Sequence, residues 1–117
     1  MSIRSAIVKN SSDPDDRQVM GEAGVHESMN IGAATIFYVV HRPGWRWSTH
    51  IKPSAGTEWC ERTHVGYVIS GRERCRLRDG TEFELGPGDA FLVPPGHDAW
   101  VVGDEPYLGV NFSGHAD

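Results

Sequence analysis

The chain has 117 residues, a mass of 12.9 kDa and a formal net charge of −5. That length supports one core, and the acidic balance gives no electrostatic reason to expect a nucleic-acid partner. No apolar run approaches the roughly 18 residues needed to span a bilayer, so no membrane partner is expected either.

The glycine count of 14 and proline count of 7 favour a strand-and-turn protein over a helical bundle. The segment from Met1 to Asp16 has no apolar stretch of signal-peptide type. Cys60 and Cys75 do not make a disulfide framework in a chain of this size. Reduced thiols and cytoplasmic residence are therefore expected.

In chain order, Asn10 to Arg17 (NSSDPDDR) is polar and turn-rich, so a short strand and a loop are expected in an N-terminal arm of about residues 1–30. A barrel of about residues 33–113 should follow. Ala33 to His41 is β-branched and aromatic and predicts a strand. After Pro43-Gly44, the stretch Trp45 to Lys52 alternates, with Trp45, Trp47, Thr49 and Ile51 on one face, which predicts a second strand. Those two tryptophans are expected in the core or a subunit interface. Val65 to Ser70 predicts the next strand. No helix is predicted.

Arg72 to Leu77 and Thr81 to Leu85 form a hairpin that can be read in register. A two-residue Asp79-Gly80 turn would set Arg76 opposite Phe83, which is poor pairing. A three-residue Arg78-Asp79-Gly80 loop sets Arg76 opposite Glu82, Arg74 opposite Glu84 and Cys75 opposite Phe83, with Gly80 at the left-handed position. Cys75 is then a buried structural residue. Ala90 to Val93, Trp100 to Val102 and Tyr107 to Phe112 complete the predicted sheet.

The run Gly86-Pro-Gly-Asp-Ala-Phe-Leu-Val-Pro-Pro-Gly-His97 brackets one of these strands with two turn clusters. It resembles the second motif of the cupins, G-x5-P-x-G-x2-H-x3-N, at Gly88, Pro94 and Gly96. Ala99 holds the usual histidine slot, and His97 lies two positions early. Counting back from Gly71 on the first cupin motif, G-x5-H-x-H-x3,4-E-x6-G, puts His64 in the glutamate slot and Glu58 and Cys60 in the two histidine slots. Gly44-x5-His50 also satisfies the opening of that motif, which leaves His50 as a spare candidate beside an insertion between Lys52 and Thr57. The resemblance spans roughly Pro43 to Ser113. It implies an all-β jelly roll or β-barrel of the cupin kind, a metal inside the barrel, and pairing as a homodimer.

The residues carry a chemistry of their own. Cys60, His64 and His97 offer a thiolate and two imidazoles, a donor set suited to a divalent transition metal, zinc or iron first, with copper also open. Glu58, two residues from Cys60 on an extended chain, is a candidate fourth ligand or general base. Asp98 is a candidate to orient a ligand imidazole. Arg46 or Arg62 would anchor an anionic ligand, and Trp100 would wall the pocket. His26, His41 and His115 have no convergent partners in the sequence and are expected at the surface. Three functions stay open: a metal-dependent enzyme on a small metabolite, a non-catalytic metal- or ligand-sensing module, and a metal-free epimerase-like cupin.

Overall fold

The computed structural model describes residues 5–113. Its strands are β1 (Asp16–Val19), β2 (Gly24–Ile31), β3 (Ala34–His41), β4 (His64–Ser70), β5 (Arg72–Leu77), β6 (Glu82–Leu85), β7 (Ala90–Val93), β8 (His97–Val102) and β9 (Tyr107–Ser113). Two antiparallel sheets face each other, one of six strands in the order β1-β2-β3-β9-β4-β7 and one of three in the order β6-β5-β8. This is the expected all-β cupin jelly roll.

The hairpin register matches the expectation, with Arg76↔Glu82, Cys75↔Phe83 and Arg74↔Glu84 as partners. Gly80 takes φ 93°, where a side chain would be strained. Arg74 Nε donates to Glu82 at 2.8 Å, so the charged partners pair on the outer face while Cys75 is buried. Along β7, Leu92 is exposed and Val93 buried, the alternation of a barrel wall. Val68, with no exposed surface, sits at the centre of the core between the sheets.

Two regions differ from the sequence expectation. The polar arm contributes two strands, β1 and β2, which extend the larger sheet through pairs such as Gln18↔His26 and His26↔Val39. An edge strand exposed along its whole length, as β1 is, carries no apolar alternation to betray it. The predicted strand Trp45–Lys52 is instead helical, as α1 (Trp47–His50) and α2 (Lys52–Ala55). Asp98 Oδ1 accepts the Ser48 N–H at 3.1 Å and His50 Nδ1 accepts the Arg46 N–H at 3.1 Å, so two of the N–H groups that open α1 find partners. Pro53 stands in the first turn of α2, where its missing N–H costs nothing. Trp47, buried, and Ile51, half-buried, then pack inward four residues apart. The burial expected of Trp45 and Trp47 holds, at 4% and 6% exposure, although the backbone that delivers it is different.

Candidate functional site

Between the sheets lies a cavity of about 210 Å³, with titratable side chains grouped at two places on its wall. The first group starts from a backbone bridge. The Cys60 N–H donates to the His97 carbonyl at 2.9 Å, and the Gly96 N–H donates to the Cys60 carbonyl at 2.8 Å. Gly96 turns the chain at φ 88°, which sets His97 at the start of β8 facing inward. His64 opens β4, held opposite Val93 of β7. Three distant segments thus bring Cys60 Sγ and the two imidazoles together, with one donor atom from each lying within 4.8 Å of the others. Cys60 Sγ is 3.6 Å from His64 Nε2, and the two rings meet edge-on at 5.1 Å between centroids.

The group suits a metal on its own geometry. Bond lengths of about 2.0–2.3 Å around a tetrahedral zinc place neighbouring donors roughly 3.3–3.8 Å apart, and the Sγ–Nε2 separation of 3.6 Å already falls there. His97 Nδ1 donates to the Pro94 carbonyl at 2.7 Å, which fixes the tautomer and turns the other nitrogen, as a lone pair, toward the cluster. Burial lowers the pKa of His97. Burial and the neighbouring His97 bring His64 down to about 4. Both rings are therefore neutral and ligand-ready at physiological pH. Burial pushes the Cys60 thiol above its ordinary range, so a cation is needed to ionise it.

The remaining sequence candidates fall elsewhere. Glu58 is exposed and pairs with Lys52 at 3.3 Å, away from the cluster. The parity argument for it assumed an extended chain, and residues 57–59 form a bend. Asp98 accepts from Arg46 Nε at 3.1 Å and from Ser48, so it anchors α1, and the Pro94 carbonyl does the orienting expected of it. Arg46 lies over the Trp100 ring at 4.4 Å, and neither residue lines the cavity. The inward positions of β8 belong to His97, Ala99 and Val101, leaving Trp100 on the outer face. His50 caps α1 and also stays outside the cavity. Arg62 does line it.

The second group was not anticipated. His41, expected at the surface, is 5% exposed. Its Nδ1 hydrogen-bonds to Oε2 of the equally buried Glu73. Its Nε2 lies 2.7 Å from Nε2 of His26, so His26 is not a free surface residue either. Trp45 stacks on the His41 ring at 3.5 Å with planes 3° apart, and Tyr107 covers it at 5.8 Å. His115 lies outside the described residues. Strand parity carried a faint signal for this group. Glu73 shares its face with Cys75, the residue predicted to be buried, and His41 shares its face with Val39.

Gly66 is tightly packed beside the cavity wall. A Cβ there would come within 2.6 Å of Asn111 Oδ1 and 2.7 Å of Phe91 Cζ, two residues that line the cavity.

Comparison with known proteins agrees with this architecture. Among solved structures, KdgF from a Halomonas species is similar at TM-score 0.60 and 25% identity, over 87% of this chain and 88% of that one. A cupin-like protein from Thermotoga maritima superposes at TM-score 0.59 with 19% identity, covering 86% and 80% of the two chains. An RmlC-like cupin from Shewanella frigidimarina does so at 0.62 with 15% identity, covering 92% and 89%. The last two likenesses show the fold alone. No curated protein sequence matches the chain. Residues 43–115 match the profile of the AraC-like ligand binding domain. With that match spanning both halves of the thiol–imidazole cluster, and a cupin jelly roll around it, the chain belongs to the AraC-like ligand binding domain family.

Proposed function

We propose that this chain is a metal-binding cupin domain that takes a small metabolite into the space between its sheets. Cys60, His64 and His97 hold a divalent transition metal, zinc or iron, and Arg62 offers a positive charge to an anionic ligand. The observation that carries this reading is the convergence of a thiol and two imidazoles within 4.8 Å on the wall of a 210 Å³ cavity. A metal with three protein ligands keeps an open position and supplies Lewis acidity to whatever occupies it. The protein's own part is to present two neutral imidazoles, one fixed through the Pro94 carbonyl, beside an apolar wall that includes Phe37 and Phe91. The outer face of β4 and β7 exposes Tyr67, Ile69 and Leu92, which supports pairing of two chains through that face.

Elemental analysis of protein purified without added metal tests the central reading. Near-stoichiometric zinc or iron is expected in the wild type. Losses of at least about 100-fold in affinity are expected in Cys60→Ser and His97→Ala, because even residues that only orient ligands are worth 10–100-fold. Full occupancy in both variants would refute the site.

A further inference from the structure

We propose that Glu73, His41 and His26 form a proton relay that gives the cavity an acid–base function separate from its metal-type cluster. The three side chains come from β5, β3 and β2 and are joined in one line. The Glu73 carboxylate accepts from His41 Nδ1–H, and the two histidines share a hydrogen bond between their Nε2 atoms. Glu73 and His41 are sealed in the core, beneath Trp45 and Tyr107. All three line the cavity, and His26, only half-buried, is the most open of them. Its Nδ1 has no hydrogen-bond partner among the described residues. No fully buried side-chain nitrogen or oxygen among them lacks one, so this atom opens onto accessible space. A buried carboxylate paired with an imidazole whose far side leads to an open nitrogen has no structural need of that opening.

The step balances on these three residues. A ligand with a removable C–H or O–H proton gives it to His26 Nδ1, and the electron pair of the broken bond stays on the ligand. The His26 Nε2–H proton passes to His41 Nε2. His41 becomes an imidazolium whose charge is met by Glu73, and the reverse sequence returns the proton. Burial and the neighbouring His41 lower the pKa of His26 to about 3, so the ring is neutral at physiological pH and carries a lone pair on one nitrogen. The other groups around the relay do not compete for the proton. His64 from β4 belongs to the thiol cluster, the Arg62 guanidinium has no lone pair to offer, and Cys75 and Tyr107 are held protonated by burial and by Glu73. Trp45, flat against His41, fixes the ring plane that the relay needs.

The proposal rests on the cavity reading and not on the metal. Its test uses 5-nitrobenzisoxazole, a small flat probe that loses its one reactive C–H to a base as its N–O bond opens to a cyanophenolate. Wild-type protein should accelerate this elimination over free imidazole at equal concentration, with EDTA making no difference. His26→Gln should lower the rate about 100-fold, the ordinary contribution of a positioned base. Glu73→Gln should lower the plateau and move the acid limb of the pH profile to lower pH, because an imidazolium without its carboxylate forms less readily. No acceleration, or equal rates for wild type and His26→Gln, would overturn the proposal. Should Glu73→Gln fail to fold, long-range proton–nitrogen NMR of the wild-type histidines decides the same point. His41 protonated at Nδ1 with one proton between the Nε2 atoms supports the relay, and separate, uncoupled histidine titrations refute it.

Discussion

The cavity carries two clusters of similar composition, each with two histidines and one acidic group, yet they are wired in opposite ways. At the thiol end, His97 is pinned by a neutral carbonyl and its second nitrogen is left bare beside Cys60 and His64. At the carboxylate end, His41 is pinned by Glu73 and spends its second nitrogen on His26. What stands behind an imidazole thus decides what stands in front of it. A carbonyl leaves a lone pair free for a cation, whereas a buried carboxylate favours a proton on the ring and a neighbour to exchange it with.

The comparison breaks most heavily at Trp45, the lid on the carboxylate end. Trp45→Ala should cost about 3–5 kcal/mol of stability in chemical denaturation. Any folded fraction should still bind zinc, and loss of zinc alongside the relay would show that the two ends are one unit. At the thiol end, His64→Ala should weaken zinc binding by at least about 100-fold while the His26–His41 coupling seen by NMR survives. Gly66→Ala should cost roughly 1–3 kcal/mol through overpacking against the Val110 carbonyl, Asn111 and Phe91. An unchanged midpoint would mean that the wall yields.

Acid should separate the ends more gently. His64 and His26 fall from 6.5 to about 4 and about 3 in the folded chain. Below pH 6.5 the unfolded chain therefore binds protons that the folded one refuses, and stability declines as pH falls toward those values. The melting temperature of metal-free protein should drop over that range, less steeply in His26→Gln. A flat profile would contradict the burial of both rings. The smallest effect should come from Arg46→Ala. Its pair with Asp98 and its stacking on Trp100 lie outside the cavity; the arginine end is open to solvent, and the buried Asp98 keeps the Ser48 and Ala99 N–H groups as donors, so the loss should be about 1 kcal/mol. A change in zinc affinity there would tie α1 to the site.

The motif spacing around Gly88, Pro94 and Gly96 identified the jelly roll, and the match of apolar and charged partners set the β5–β6 register. Both are local matters, fixed by turn chemistry and by side chains facing each other across a short loop. The spacing back from Gly71 also picked out Cys60 and His64 beside His97. Alternation misled at Trp45–Lys52, where a two-residue period and a four-residue period both bury Trp47 and Ile51. The deciding groups there, Asp98 and a backbone N–H turned toward it, are about fifty residues apart in the chain. Glu58 stands apart from the cluster for the same kind of reason, since the chain bends between it and the cysteine.

Short-range patterning therefore determined the strands, their turns and the list of donor-type residues. Only the closing of the sheets decided which of those residues meet. His26, His41 and Glu73 lie on strands whose sequences advertise no common purpose, and a polar side chain looks like a surface residue until its partner is known. Burial of such a group is tolerated only once it is hydrogen-bonded. That partner was supplied by strands β2, β3 and β5 coming together in space.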